Sequence, residues 1–297
     1  MYMMNLMMRT TSKALVCLVA AHFAFPNAVY SYEQDVDTWM EVSRPAGPRT
    51  SGIRMAWEYA ANHSKYEWKV FKEGPTVKAV LTKDDTRAKD RPFFTPQAEG
   101  FKDGFTFFRT DDGWLVSFNR GEFGSALYWF DQSGDSRQKI SDHQVRAFFP
   151  CSEGVLAIEG LAHLTMSFGS IIRITRTKQW EANTVTLLPE APYAGAMSKD
   201  GTLFLVLSGS LAEYSKIGNR ETLKLHEKNG DWGTLYPNSL VLKEDEKKAY
   251  IGMRQFVVEY DFRRRILRFL IPDESFLNKL PKEQEDRIRK QWDEMGK

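Results

Sequence analysis

Four polar side chains in two short stretches of the chain could do chemistry together. Arg120 and Glu122 lie in one stretch, and Glu159 and His163 lie in a second. Two carboxylates and a histidine can act as general acid and base, and carboxylate oxygens can bind a cation such as Ca²⁺. That chemistry needs both carboxylates close together. A plainer interpretation pairs Glu122 with Arg120 and bonds His163 within its own loop, so we favour binding over catalysis.

Motifs of several common enzyme classes are missing. The sequence contains no His-Glu-x-x-His segment, phosphate-binding loop or nucleophile elbow. The 41 Lys and Arg residues nearly balance the 39 Asp and Glu residues, which excludes a strongly basic nucleic-acid-binding surface. The run 263–265 of three arginines is interpreted as a solvated hairpin turn.

The chain begins with the pattern of a secretory signal peptide. Arg9 and Lys13 precede the apolar run Ala14–Phe25, and small residues follow at Ala28 and Ser31. This apolar run is shorter than the roughly 20 residues that span a membrane. We therefore predict a signal peptide over 1–31 and a periplasmic or secreted mature chain without a membrane span. The alternatives are an N-terminal membrane anchor and a buried strand.

Cleavage would change the charge and cysteine content of the chain. It would remove Arg9, Lys13 and no acid, so that 41 bases minus these two would leave 39 against 39 acids. It would also remove Cys17 and leave Cys151 as a single, half-buried thiol. Bulk charge would then steer the mature protein to no particular partner.

The region from about 105 to 272 alternates apolar and polar residues with period two, which predicts antiparallel strands. The turn glycines Gly113, Gly154 and Gly201 recur at intervals of 41 and 47 residues. The pair Glu213-Tyr214 recurs 46 residues later, at 259–260. A repeat of about 40–50 residues with four strands is typical of β-propeller blades.

These segments resemble the blades of NHL and lactonase-like propellers. The resemblance rests on 198–204, on the turns at Gly113 and Gly154, and on 259–261, and it covers roughly 103–272. It implies an all-β, propeller-like fold with four to five blades of four-stranded antiparallel sheet. We predict a propeller domain over 32–272 and a helical tail over 273–297. A β-sandwich or an incomplete propeller is the alternative.

The resemblance also implies where a ligand would bind, because the loop after the second strand of each blade opens on the binding face. That loop is long in two units, at 119–126 and 159–170, and Arg254 lies in the equivalent short loop of the last unit. The predicted binding residues are Arg120, Glu122, Phe123, Glu159, His163 and Arg254.

The two ends of the mature chain differ from this pattern. Tyr66–Lys72 and Thr76–Thr82 predict a hairpin, and Ile53–Ala61 predicts a strand or a short helix. The stretch after Pro281 predicts a helix, with acids before bases and an apolar stripe at Ile288 and Trp292. This helix would pack on the sheets or bind a partner.

The sequence thus predicts an exported, non-enzymatic binding module that recognises a protein or a glycan through 119–126 and 159–170. An immunity-type protein is one version, and we expect a monomer without a cofactor. The alternative is a metal-dependent, lactonase-like hydrolase that uses Glu122, Glu159 and His163. It would hold Ca²⁺ with three or more oxygen ligands at about 2.3–2.6 Å.

Overall fold

The computed structural model describes residues 33–293 except for 49, 86, 88–89, 99, 102–103, 165, 219, 229, 231, 246, 275–277, 279–281, 283–284, 287–288 and 291–292. The predicted signal peptide, 1–31, lies outside the described residues. Ile288 and Trp292 of the predicted apolar stripe also lie outside them.

Strands dominate the described chain. Its first elements are β1 (Gln34–Asp35), β2 (Met40–Val42), the helix α1 (Gly52–Asn62), β3 (Trp68–Glu73) and β4 (Thr76–Leu81). The later strands are β5 (Phe105–Thr110), β6 (Gly113–Asn119), β7 (Ser125–Asp131), β8 (Arg137–Ser141), β9 (Val145–Cys151), β10 (Gly154–His163), β11 (Met166–Arg176), β12 (Trp180–Leu188), β13 (Pro192–Met197), β14 (Leu203–Leu207), β15 (Leu211–Ile217), β16 (Arg220–Glu227), β17 (Ser239–Lys243), β18 (Lys248–Gly252), β19 (Val257–Asp261) and β20 (Ile266–Ile271).

These strands form five antiparallel sheets, numbered I to V along the chain. Sheet I has the order β1-β4-β3, sheets II, III and IV contain β5–β8, β9–β12 and β13–β16, and sheet V contains β17–β20 followed by β2. Sheet I therefore has three strands and sheet V has five, where the sequence predicted four in each. The fifth strand of sheet V comes from the N-terminal part, with Met40 opposite Ile271, and covers an edge that would otherwise be open.

The sheets follow one another as the blades of a propeller. The first strand of each sheet packs against the first strand of the next, β5 on β9, β9 on β13 and β13 on β17, and β17 packs on β3. The predicted propeller-like, all-β fold is confirmed by this arrangement of five sheets.

Apolar side chains fill the spaces between neighbouring sheets. Leu115 and Val145 belong to the cluster between sheets II and III, and Ile158 and Leu205 belong to the cluster between sheets III and IV. Because both faces of a strand such as β14 are covered, the segment Leu203–Leu207 is apolar throughout. Each sheet is thereby packed against the next, and this framework positions the connections at the ends of the strands.

One expectation about the inserts was wrong. The stretch 159–170 is not a long loop, because β10 and β11 continue through it as a ladder that pairs Leu161 with Phe168 and His163 with Met166. The ladder satisfies backbone groups that a loop would leave to water. Gly160 allows the close approach of the two strands, since a Cβ atom there would lie 2.2 Å from the carbonyl oxygen of Phe168.

The segment Ile53–Ala61 is helical rather than extended. The side chain of Ser51 caps α1 by accepting a hydrogen bond from the backbone N–H of Arg54, at 3.3 Å. Trp57 on the buried side of α1 stacks on Phe256, with 5.1 Å between the ring centroids.

The C-terminal stretch is also helical where it is described, at 282, 285–286, 289–290 and 293, as the sequence predicted. Among the helices that the structure describes, none has the length and apolar character needed to cross a bilayer.

Candidate binding site on the loop face

The inserts lie at one end of the propeller, which we call the loop face. It consists of the described residues of the β6–β7, β10–β11, β14–β15 and β18–β19 connections and of the segments 189–191 and 228–238, with α1 beside them. Hydrogen bonds link these parts from sheet to sheet, between the hydroxyls of Ser167 and Ser208 at 2.9 Å and from the N–H of Arg254 to the carbonyl of Leu235 at 2.8 Å. The loop face is therefore one continuous surface.

Two of the predicted binding residues lie in direct contact. Nε2 of His163, at the tip of the β10–β11 hairpin, is 2.8 Å from Oε2 of Glu122 in the 3₁₀ turn Gly121–Phe123. Both side chains are about 40% exposed, at 37% for His163 and 42% for Glu122. The partner of Glu122 is thus His163 of the next sheet and not the neighbouring Arg120.

Glu159 lies apart from this pair. It is on β10 four residues before His163, which is roughly 13 Å along an extended strand. Its Oε1 accepts a hydrogen bond from the hydroxyl of Ser170 on β11, at 2.5 Å. The structure therefore brings together two of the three residues of the predicted acid-base group and leaves the third within sheet III.

The other predicted binding residues occupy separate places on the loop face. The guanidinium of Arg120 lies 5.8 Å from the ring centroid of Phe101, and Phe123 is 73% exposed. Arg254 donates from Nη1 to the backbone and side-chain oxygens of Asn62 in α1, at 2.9 and 2.8 Å. Arg254 thus joins sheet V to the helix.

A cavity of about 490 Å³ opens between sheets III, IV and V on the loop face. We call it the loop-face cavity. Its walls are formed by Ala162, His163, Leu164, Met166, Ser167, Glu190, Tyr193, Ser208, Gly209, Lys228, Gly233, Thr234 and Tyr236. His163 is the one predicted site residue among them. Ala162, Leu164, Met166 and Ser167 also belong to the predicted stretch 159–170. Sequence reasoning missed the wall residues from Glu190 to Tyr236, although the length of the 228–238 connection was a signal for part of this wall.

Glu190 holds one wall in place. Its carboxylate accepts hydrogen bonds from the hydroxyls of Ser208 and Ser210, at 3.1 and 2.8 Å, and from the N–H of Gly209, at 2.5 Å. Charge-assisted hydrogen bonds of this kind are the strong ones. The short β14–β15 loop is therefore fixed on a carboxylate that still faces the cavity.

Tyr193 lines the loop-face cavity, and Arg146 lies beside its ring. The hydroxyl of Tyr193 donates to the carbonyl of Gly233 at 3.3 Å, and the guanidinium of Arg146 lies 5.7 Å from the Tyr193 ring centroid. Burial lowers the pKa of Arg146 and raises the pKa of Tyr193. Nε of Arg146 donates to the carbonyl of Gly160 at 3.1 Å, so this cation is held under the aromatic ring.

Tyr236 has an unusual backbone conformation. Its φ of 52° and ψ of 67° are left-handed, which costs a bulky L-residue roughly 1–2 kcal/mol. The guanidinium of Arg254 lies 4.2 Å from its ring centroid, and the residue is 46% exposed. Residues held in such conformations cluster at functional sites. Leu164 at the hairpin tip is a second case, with a φ of 52° and 91% exposure.

Large apolar side chains are concentrated on this face. Of the twelve that the described residues expose, six lie on its connections and strand ends: Phe123, Leu164, Met166, Phe168, Leu187 and Tyr236. Ile53, Met55 and Tyr59 of α1 add three more. Contiguous exposed apolar surface on a monomer commonly marks an interaction site.

A second cavity, of about 340 Å³, lies between sheets IV and V at the opposite end. At its wall, Nε2 of His226 is 2.6 Å from Oε2 of Glu213, and the imidazole packs edge to face on Phe262. Burial lowers the pKa of His226, and the hydrogen bond to Glu213 opposes this shift without cancelling it. We interpret this pair as a contact that joins β15 to β16 and orients the imidazole.

In the described part of the chain, no three His, Cys, Asp or Glu side chains come together as a group that could hold a metal ion. The role of Ca²⁺ in the hydrolase alternative stays a prediction.

No protein-family model matches the chain, and no curated protein matches it. Similarity to solved structures is found. The virginiamycin B lyase of Staphylococcus aureus is 15% identical over 58% of this chain and 56% of its own length, with a TM-score of 0.40. A streptogramin B lyase is 13% identical over the same shares, with a TM-score of 0.38.

An extracellular domain assigned to a one-component system of B. thetaiotaomicron is 10% identical over 78% of this chain and 29% of that one, with a TM-score of 0.38. The matched region spans little more than half of the first two proteins, at 56% of each. The five sheets themselves establish what this chain is: a propeller-like, all-β protein with a cavity and an apolar surface on its loop face.

Proposed function

We propose that this chain is an exported, non-enzymatic binding module whose loop face recognises a protein or a glycan. The observation that carries the proposal is the concentration of exposed apolar side chains around the stretches 119–126 and 159–170. An immunity-type protein, which neutralises a partner by covering it, is one concrete version of this function.

The apolar side chains share one side of the β10–β11 hairpin. Residues opposite each other in an antiparallel pair point to the same face, and Leu161 pairs with Phe168, and His163 with Met166. Leu187 pairs with Ser170 on the same side of the sheet. Because His163 also contacts Glu122, this side faces the turn that carries Phe123.

The chemistry of this surface favours a protein as its partner. Leu164, Met166 and Leu187 are aliphatic or thioether side chains that offer no hydrogen bond to a sugar hydroxyl. Burial of such groups against apolar protein surface contributes roughly 25 cal/mol per Å². Phe123 and Phe168 add aromatic groups of the kind enriched at the centres of interfaces.

A comparison of two matched variants tests this proposal. Phe168 lies on the loop face and Ile217 lies at the turn of the β15–β16 hairpin at the opposite end, and both are exposed. A protein captured by the wild-type chain from the exported fraction of its host should be lost with Phe168→Ser and kept with Ile217→Ser. Equal capture by both variants would place the contact elsewhere and overturn the proposal.

Export has its own test. The mature chain isolated from the host should begin directly after Ala28 or after Ser31, as measured by mass spectrometry of its N-terminal peptide. A chain that keeps Met1 in the cytoplasm would contradict the proposal of export.

The contact between Glu122 and His163 favours the hydrolase alternative, because it brings together two of its three residues. In that alternative, Glu122, Glu159 and His163 act with Ca²⁺ on a lactone-type substrate. Thermal unfolding with Ca²⁺ and with EDTA is the discriminating measurement. An unchanged melting temperature would count against this alternative and would leave the binding proposal standing.

A further inference from the structure

We propose that the loop-face cavity binds a neutral saccharide, with one sugar ring stacked on Tyr236. This deepens the proposed function and rests on its glycan-binding form, because it assigns a saccharide site to the loop-face cavity between sheets III, IV and V. The apolar surface around Phe123 and Phe168 would contact a protein beside this site, and Leu164 and Met166 border both.

Tyr236 has the properties of a stacking platform. One face of its ring is held by the guanidinium of Arg254, at 4.2 Å from the centroid, and Arg254 is itself anchored on Asn62. The residue remains 46% exposed and lines the cavity. A ring held on one side and open on the other loses little entropy when a ligand packs on it.

The backbone at Tyr236 adds a second reason. A left-handed φ of 52° is one that glycine adopts without steric cost and that a tyrosine adopts only at a cost. A large aromatic side chain at this position is therefore not what local stability favours. Its position at the wall of a cavity provides a functional reason for keeping it.

The polar groups of the wall suit a ligand that both donates and accepts hydrogen bonds. Ser167 and Ser208 bond to each other and Ser208 donates to Glu190, so these hydroxyl and carboxylate oxygens offer a ligand their remaining acceptor lone pairs. Thr234, also in the wall, has a hydroxyl oxygen that is buried without a hydrogen-bond partner. Buried polar groups are normally paired, so this part of the wall has unused hydrogen-bonding capacity.

The charges of the wall favour a neutral ligand. The carboxylate of Glu190 and the ammonium of Lys228 line the same cavity. A strongly anionic ligand would be repelled by Glu190, and a cationic ligand would be repelled by Lys228. Sugar hydroxyls can form hydrogen bonds with both groups. The volume of about 490 Å³ falls within the range of roughly 300–1,000 Å³ that small-molecule sites occupy.

The test is sugar binding measured by saturation-transfer NMR and calorimetry on the full mature chain. The probes are glucose, galactose, mannose, N-acetylglucosamine and cellobiose, with glucuronate as a charged comparison. Each is offered at about 10 mM, where a ligand with a Kd of about 1 mM is almost fully bound. At least one neutral sugar should bind the wild-type chain, and glucuronate should bind more weakly than glucose.

Tyr236→Gly should weaken that binding at least about tenfold, which corresponds to 1.4 kcal/mol. This variant keeps the left-handed backbone, because glycine adopts it freely. The control Ile217→Ser, at the opposite end, should bind sugar as the wild type does. Three results would overturn the proposal: no neutral sugar binding to the wild type, unchanged binding by Tyr236→Gly, or a preference for glucuronate over glucose.

The variant Phe168→Ser separates this inference from the proposed function. It should abolish protein capture and leave sugar affinity within about twofold of the wild type. Loss of sugar binding with intact protein capture would refute the saccharide site alone. Sugar binding without any protein partner would refute the protein contact alone.

Discussion

Nε2 of His163 lies 2.8 Å from Oε2 of Glu122, and this contact joins the tip of a hairpin in sheet III to a turn of sheet II. The two residues are far apart in the chain and on different sheets. Their contact supports the β10–β11 hairpin on one side. On the other side of this hairpin, Ser167 bonds to Ser208 of sheet IV. The hairpin is therefore held from both sides, which fixes the position of the exposed Leu164 and Met166.

Glu122→Gln should weaken partner binding while leaving the fold intact. The pair is partly exposed on both sides, so its loss should change the free energy of unfolding by no more than about 1 kcal/mol. Glu159→Leu should also weaken binding, because it removes the acceptor for the hydroxyl of Ser170, which lies opposite Leu187. Chemical denaturation and partner titration measure the two effects. Normal binding in both variants would show that these carboxylates do not shape the binding surface.

Asp85→Asn should destabilise the protein at neutral pH by about 1–3 kcal/mol. Hydrogen bonds from Arg87, and then from Lys69, hold the pKa of Asp85 well below its usual range. A carboxyl group with a lowered pKa stabilises the fold fully above its unfolded pKa of about 3.9 and loses this effect as the pH falls through the folded value. The stability difference between wild type and variant should therefore shrink below about pH 4.

Urea denaturation from pH 7 down to pH 3 measures this difference, with Asp84→Asn as the matched control. Asp84 is the preceding acid in the same stretch, and its replacement should have the smaller effect. A constant difference between wild type and Asp85→Asn across this range would contradict the ion-pair explanation.

His226 should make the protein less stable as the pH falls. Burial lowers the pKa of its imidazole, so the unfolded chain binds a proton more readily than the folded one does. The loss should begin near pH 6.5 and should not exceed about 1.4 kcal/mol per pH unit for this one group. His226→Gln should lack this component.

The variant Glu213→Gln provides the sharper comparison for His226. Glu213 lies 2.6 Å from the imidazole and favours its protonated form, so its replacement should lower the pKa of His226 further and steepen the loss of stability. Melting temperatures at pH 7.5, 6.5 and 5.5 measure both variants. A shallower pH dependence in Glu213→Gln would reverse the sign argued for this pair.

Tyr236→Gly should leave the stability of the protein nearly unchanged. The glycine removes a left-handed strain of about 1–2 kcal/mol, and this offsets the lost cation–π contact with Arg254 and the entropy cost of glycine, each about 0.5–1 kcal/mol. Tyr236→Ala keeps the strain and loses the contact, so it should be less stable than Tyr236→Gly by about 1 kcal/mol. Chemical denaturation of both variants decides this, and an alanine variant as stable as the glycine variant would show that the backbone is unstrained.

Local features of the sequence determined the strands and their turns. Of the recurring turn glycines, Gly154 and Gly201 adopt the positive φ that suits such turns, at 115° and 83°, whereas Gly113 does not. Asp200 beside Gly201 accepts a hydrogen bond from the hydroxyl of Ser198. The repeat of Glu213-Tyr214 at 259–260 marks equivalent strands, β15 and β19. Alternation and turn chemistry act over a few residues, so they can be recognised without knowing what the strands pack against.

The tertiary structure decided how far these strands extend, which strands pair and which side chains come into contact. The stretch 159–170 forms a long hairpin and not a loop because β10 and β11 pair through it. The hairpin is also held by the contact of His163 with Glu122 and of Ser167 with Ser208. The strand β2 completes sheet V from the other end of the described chain.

The loop-face cavity was hidden from sequence reasoning for the same reason. Met166, Tyr193 and Tyr236 come from sheet III, from sheet IV and from the connection before sheet V, and nothing in their local sequence marks them as neighbours. Their proximity results from the packing of sheets III, IV and V around a common axis. A periodic pattern specifies each blade, whereas the site arises from contacts between blades, which only the folded arrangement defines.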